Sequence, residues 1–316
     1  MTSPVRQLDV VALGGGHGLA ASLRALRKVT SHLTAVVGVS DNGGSSGRIR
    51  DQFHVVPPGD LRMALAALCG DDTWGSTWAR VLQHRFTSEG DLDGHALGNL
   101  IITALWEETD DVVSGLDWVA RLLDARGTVL PLALEPLEVV AKVRNGNSVE
   151  TVRGQVEVAT AQGTIESIEL HPQNPAHCQQ AVDSVLQADA VVLGPGSWFT
   201  SVLTHFQVPQ MSQALHATPA QRILVLNLNS QTSETPGYSP VTYLDVLLDQ
   251  QPNFRLDVVI ADPEHVDDVA KLEATCAAHG AKLHLAAVAE SGTDQHNDEL
   301  LASAYRAVFG LSLIHI

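Results

Sequence analysis

The chain is 316 residues long, 45% hydrophobic, 17% charged and only 4% aromatic. Such a length and balance describe a globular protein with a full core of Val, Leu, Ile and Ala, and exclude a disordered or membrane-embedded chain. With 19 basic against 36 acidic residues the formal charge is −17, a field that repels nucleic acid and anionic membrane, so a phosphate ligand must be held by local dipoles and a few placed cations.

Residues 1–9 are largely polar, and the apolar run Val10-Val11-Ala12-Leu13 is too short for a signal-peptide core. No stretch reaches the length of a membrane-spanning helix, so no membrane insertion is expected. Cys69, Cys178 and Cys276 are far apart, odd in number and without metal-ligand spacing, as suits reduced thiols in the cytoplasm. The 14 histidines show no zinc spacing either, and no metal site is expected from them.

In chain order, residues 10–13 read as a buried strand, 14–18 (Gly-Gly-Gly-His-Gly) as a turn, and 19–26 as a helix with Leu19, Leu23 and Leu26 on one face. A second strand over 33–39 runs into Ser40-Asp41-Asn42 and a loop over 43–48. Pro57-Pro58-Gly59-Asp60 then opens a helix over 61–68, with Asp60 as its N-cap. Helices dominate 73–126, broken by a loop at 91–95. Over 128–171 apolar and polar residues alternate between turn signals, which predicts an inserted antiparallel β extension. Helix–strand alternation returns with a helix over 176–188, a strand over 190–193 and the turn Gly194-Pro195-Gly196-Ser197. Later strands fall at 223–228, 256–260 and 283–287. The fold class is α/β: one doubly wound, mostly parallel Rossmann-like domain over 1–310 with the insertion at 128–171. Residues 311–316 are an apolar tail, either a packed strand or a non-native extension.

Gly14 to Gly18 sit between a buried strand and a helix, where free backbone N–H groups and the helix dipole favour phosphate. Glycine lets the backbone approach phosphate oxygens closely. The spacing Gly16-x-Gly18-x-x-Ala21 is a loose dinucleotide fingerprint, with Asp41 placed to hold a ribose; a tight turn without ligand is the plain alternative. Asn42, Gly43, Gly44, Ser45 and Arg48 add donors, hydroxyls and a cation suited to phosphate or sugar, unless they are a simple surface loop. Gly194-Pro195-Gly196-Ser197 repeats the strand–turn–helix pattern, and two such turns converge at the carboxyl edge if their strands are neighbours. Trp198 and Phe199 either stack on a base or pack beneath the turn. His95 and Asn99 open an apolar helix; His95 is either an acid–base or phosphate contact or a structural histidine. Asp41, Asp60 and His95 are the candidate catalytic groups. No hydrolase nucleophile elbow is expected and no Gly-Lys-Ser/Thr is present, which argues against a hydrolase triad and an ordinary ATPase.

Six blocks in order carry a family resemblance: Gly-Gly-Gly-His-Gly-Leu (14–19), Asp-Asn-Gly-Gly-Ser-Ser-Gly-Arg (41–48), Pro-Gly-Asp-Leu-Arg (58–62), His95-x-x-Gly-Asn-Leu, Gly-Pro-Gly-Ser (194–197), and Gln231-Thr-x-Glu-Thr-x-Gly-Tyr238. The chain resembles the bacterial gluconeogenesis-factor family, UDP-sugar-binding proteins related to 2-phospho-L-lactate transferase, over almost its whole length up to about Gly310. The resemblance implies a cytoplasmic binder of UDP-N-acetylglucosamine or UDP-glucose that supports cell shape and wall synthesis on gluconeogenic carbon sources. It implies no required cofactor and no established catalysis, whereas the transferase relatives move a phospholactyl group using Mg²⁺. A regulatory protein partner fits such a role, with self-association into a homo-oligomer left open. Carried over residue by residue, Gly15, Gly16, Gly18 and Gly194 to Ser197 form the phosphate site. Asp41, Asn42, His95 and Asn99 contact ribose, sugar or base, with His17, Asp60 and Arg62 beside them. His17 stands where the family has Thr, and Met63 follows Arg62 where a polar residue is common; both bear on ligand preference. The rival readings are a phospholactate-type or other nucleotidyl transferase and, more remotely, an NAD-dependent dehydrogenase.

Overall fold

A computed structural model of the chain describes residues 7–229 and 234–311. Its strands are Val10–Gly14 (β1), Leu33–Val37 (β2), Thr128–Pro131 (β3), Glu138–Asn145 (β4), Ser148–Arg153 (β5), Thr164–His171 (β6), Ala190–Leu193 (β7), Gln221–Val225 (β8), Val258–Ala261 (β9) and Lys282–Leu285 (β10). Seven of them form one sheet in the order β10-β9-β8-β7-β1-β2-β3, and every pairing in it is parallel. A wholly parallel sheet must be covered on both faces, which is why β1 and β7 are apolar and buried at every position.

From β1 the chain steps outward through β2 to β3, then returns to the other side of β1 and steps outward through β7, β8, β9 and β10. Right-handed crossovers running in opposite directions put helices on opposite faces, and they leave a crevice where the order reverses, between β1 and β7. The two strands that meet there are the ones followed by the glycine turns.

The helices that matter for the site are Gly16–Leu26 (α1), Gly44–Phe53 (α2), Gly59–Leu68 (α3), Thr73–Gln83 (α4), Leu97–Thr109 (α5), Val112–Leu123 (α6) and Gln155–Ala159 (α7). α1 buries Leu19, Leu23 and Leu26 and packs on α3 and on Asp298–Val308. Asp72 and Asp111 cap α4 and α6 through the backbone N–H groups of Gly75 and Ser114.

Four sequence expectations are corrected. The span 128–171 is not one antiparallel unit: Thr128–Pro131 is the parallel edge strand of the main sheet, and β5-β4-β6 alone form the small antiparallel sheet. The segment 43–48 is mostly helix, since α2 starts at Gly44 with Gly43 as its N-cap. Asp60 does not cap α3, which begins at Gly59; it lies in the first turn. The helix expected after the second glycine turn is a π-helical turn, Trp198–Val202, followed by a 3₁₀ turn, Leu203–Gln207. Among the described residues no helix is long and apolar enough to cross a membrane. Residues 312–316 of the tail lie outside the described residues.

Candidate functional site

The two glycine turns touch. A side-chain carbon on Gly18, in the first turn of α1, would lie 2.2 Å from the carbonyl oxygen of Pro195 and 2.7 Å from Cα of Gly196. Only glycine permits that approach. Gly16 (φ +59°) and Gly196 (φ +148°) are both in backbone regions that disfavour other residues. Asn227, just past β8, grips the second turn from both sides: Gly196 N–H donates to its Oδ1 at 2.9 Å, and its Nδ2 donates to the Gly196 carbonyl at 2.8 Å. The N-terminal end of α1 and the Pro195–Ser197 backbone thus form one continuous polar wall at the switch point.

That wall bounds a cavity of about 410 Å³ lined by Gly15, Gly16, His17, Gly18, Asp60, Pro195, Gly196 and Ser197 among the expected residues. It is also lined by Gln155, Asn227 and His296, which sequence reading missed. No motif marks them. Gln155 arrives on α7 from the inserted sheet, held by Ser40 Oγ at 2.8 Å, and His296 lies in a two-strand bridge with Ala289. His296 Nε2 is buried without a hydrogen-bond partner, and burial pushes the imidazole down to about 4, so it is neutral at physiological pH.

Trp198 and Phe199 do not face this cavity. Each is 1% exposed, and they stack edge-on against Tyr243 and Tyr238 beneath the turn. Glu234 pins the same turn by accepting from Phe199 N–H at 3.1 Å and from the Thr200 hydroxyl. Of the last sequence block, Gln231 to Ser233 lie outside the described residues.

Asp60 is the hinge between this cavity and a second one. A side-chain carbon on Gly15 would meet Asp60 Oδ2 at 2.5 Å. Burial first, and then the Asp41 carboxylate, raise the Asp60 pKa to about 7, against a hydrogen bond from Gly16 and the charge of Arg62. The second cavity, about 230 Å³, is lined by Asp41, Gly43, Gly44, Ser45, Asp60, Arg62, Arg85 and Asn99, among others. Asn42, Arg48, His95 and Gly194 line neither cavity. Asn42 instead ties α2 to α7, donating to Glu157 at 2.7 Å and accepting from Val156 N–H at 3.0 Å, and Arg48 donates to the Asp93 carbonyl at 2.6 Å.

His95 supports the second cavity from behind. Ser45 Oγ accepts from Ala96 N–H at 3.1 Å and from Asn99 Nδ2 at 3.0 Å. The Ser45 hydroxyl also lies 3.1 Å from His95 Nδ1, within hydrogen-bond distance. The letters Gly43-Gly44-Ser45-Ser46-Gly47 do match a hydrolase elbow, against the sequence expectation. Ser45 is nevertheless 2% exposed with every lone pair engaged, so it has none left for nucleophilic attack.

The family profile described as "2-phospho-L-lactate transferase CofD" matches residues 10–300, from β1 to the last helix. The chain belongs to that family. Within it, the chain is 46% identical over 306 residues to a putative gluconeogenesis factor of Mycobacterium tuberculosis, covering 95% of this chain and 90% of the relative. It is 35% identical over 271 residues to the gluconeogenesis factor of Listeria innocua, covering 84% and 82%. Two crystal structures of a Bacillus halodurans protein, one of them described as a UPF0052 family member, superpose with TM-scores of 0.83 and 0.85 at 28% and 29% identity, over 95% of this chain and 99% of theirs. The family likeness read from the six blocks is borne out, and so is the doubly wound fold.

Proposed function

We propose that the chain is a nucleotide-sugar binder of the gluconeogenesis-factor type, holding the diphosphate of UDP-N-acetylglucosamine or UDP-glucose across the two glycine turns. In this reading it is a cytoplasmic regulator of cell shape and wall synthesis during gluconeogenic growth, acting through a protein partner. The observation that carries the proposal is the contact of Gly18 with Pro195 and Gly196, which puts two strand-end turns on one ligand. A diphosphate spans two such turns, and their N–H groups suit an acidic protein that has few cations to spend on a phosphate. Gluconeogenesis factors of 46% and 35% identity support the same reading. Calorimetric titration with UDP-N-acetylglucosamine, UDP-glucose, GTP and NAD tests it: a UDP-sugar is expected to bind tightest, and preference for NAD would sink the proposal.

One observation favours a second reading, a phospholactate-type transferase. Asp41 and Asp60 line one cavity beside the phosphate wall, and Mg²⁺ is commonly held by one or two carboxylates together with substrate phosphates. Among the described residues no cluster of three or more His, Cys, Asp or Glu could hold a metal alone, so the pair fits Mg²⁺ only with a nucleotide present. Bound there, the ion would neutralise phosphate charge, while Asp41 and Asp60 would orient it. Under the first reading, purified protein with Mg²⁺ is expected to give no sustained turnover of nucleotide-sugar or deazaflavin substrates. Turnover abolished by Asp41→Ala would establish the transferase instead.

A further inference from the structure

Arg62 is 3% exposed, yet its Nε and Nη1 have no hydrogen-bond partner. Burying guanidinium N–H groups without acceptors is costly, because burial takes their hydration away, and the nearby Asp60 and Asp41 charges offset only part of that cost. Burial and the charge of Arg85 accordingly lower the Arg62 pKa to about 10. Arg85 lines the same 230 Å³ cavity from the exposed side, with one hydrogen bond, from Nη1 to the Gly94 carbonyl at 2.9 Å. Two cations converging on one cavity, one of them with unpartnered buried N–H groups, are suited to holding an oxyanion between them.

The third wall says which anion. Asn99 is 1% exposed and its Oδ1 is an acceptor without a partner. Its Nδ2 donates to Ser45 Oγ, which also accepts from Ala96 N–H and lies 3.1 Å from His95 Nδ1, and this orientation of the amide turns Oδ1 away from Ser45. The Asp41 carboxylate lines the cavity as well, beside Asp60, which its raised pKa leaves neutral at mildly acidic pH. Acceptors beside the cations repel a fully ionised oxyanion and favour one that brings its own proton. Phosphate carries a P–O–H at neutral pH, as does the monoanion of a phosphate monoester; sulfate carries none.

We propose that the Arg62–Arg85–Asn99 cavity is a phosphate subsite distinct from the glycine turns. Arg62 and Arg85 bind the phosphate oxygens, and Asn99 Oδ1 accepts the P–O–H. The proposal stands apart from the nucleotide-sugar reading, since it concerns the far side of Asp60. It gives the protein room for a second phosphorylated ligand beside the first.

The test is titration of the full chain, free of nucleotide, with inorganic phosphate, sulfate and glycerol 2-phosphate at mildly acidic pH. Phosphate is expected to bind roughly ten-fold tighter than sulfate or better, the usual size of one charge-assisted hydrogen bond. Arg62→Met should abolish binding and Arg85→Met weaken it several-fold. Arg85 is exposed, so that variant is informative even if Arg62→Met fails to fold. Glycerol 2-phosphate binding as well as phosphate assigns the cavity to monoesters, and phosphate binding alone assigns it to the free ion; both uphold a phosphate site. Equal affinity for sulfate, no saturable binding, or phosphate binding that survives Arg85→Met and is lost in Gly16→Val would overturn it. A failed UDP-sugar titration leaves this result untouched, because no nucleotide is present.

Discussion

Asp60 carries the sharpest pH signature at the level of a single residue. Its folded pKa, about 7, stands about three units above the ordinary 3.8. Between those values the unfolded chain releases a proton that the folded chain keeps, so stability falls as pH rises from about 4 to about 7 and levels off above. At about 1.4 kcal/mol per unit the whole swing is about 4 kcal/mol. Asp60→Asn should remove that slope and leave the apo protein more stable at pH 8, as urea melts at pH 5 and pH 8 would show; a variant with the wild-type slope would clear Asp60 of the role. On the nucleotide-sugar proposal the same ionisation also bears on ligand affinity. Without Mg²⁺, UDP-N-acetylglucosamine should bind more tightly as pH drops through 7, where Asp60 loses the charge facing the phosphate wall; calorimetry across that range that found weaker binding on the acid side would contradict this. Asp60 was legible in the sequence as a candidate. Its work was not, because the backbone it faces, Gly15 and Gly16, lies far away in the chain and meets it only once α1 and α3 pack.

Among the elements, what the sequence showed best was whatever a strand and its own following turn define. The strand at residues 10–13, the turn after it and α1 needed no tertiary information, and neither did β7 with its turn. What it missed depends on partners elsewhere. Thr128–Pro131 looks like the start of the β-rich insertion because it is short and flanked by alternating residues, yet it pairs with β2 in the main sheet. The 43–48 segment looks like a loop because Gly and Ser are poor helix formers, yet Gly47 must lie where a side-chain carbon would sit 2.1 Å from the Asn42 carbonyl. Glycine is there for close packing, not for looseness. The docking of α1 on the second turn follows the same logic and can be broken by one methyl group. Gly18→Ala should force the two turns apart, costing about 1–3 kcal/mol of stability and more than ten-fold in UDP-sugar affinity. Ala21→Gly, in the same helix and lining the same cavity, lowers stability by about 1 kcal/mol without adding an atom between the turns, and so controls for a loss of stability alone. Thermal melts and titrations of the pair should separate, with binding lost only in Gly18→Ala; equal affinity in both would mean the turns need not touch to bind.

Across the whole molecule, the formal charge of −17 and the anionic ligand of the nucleotide-sugar proposal set up a conflict that the glycine turns would resolve locally. If backbone N–H groups hold the diphosphate, the short-range attraction is dipolar and fades within the first turn of α1, while the long-range field of the protein repels the approaching anion. Salt then acts on encounter more than on the bound state. Raising ionic strength from about 10 mM to about 0.15 M shrinks the screening length from roughly 30 Å to about 8 Å, which removes repulsion over most of the approach and leaves contacts at the turns nearly unchanged. The association rate of UDP-N-acetylglucosamine, followed by stopped-flow fluorescence of the five tryptophans, should therefore rise by about two-fold or more over that range, with the dissociation rate little altered. A site governed by cations would behave in the opposite way. Arg24, which lines the first cavity, is already paired with Asp298 at 2.7 Å, and that pairing is why the repulsive field should win at a distance. An association rate that falls with added salt would place the arginines, and not the two glycine turns, in control of capture.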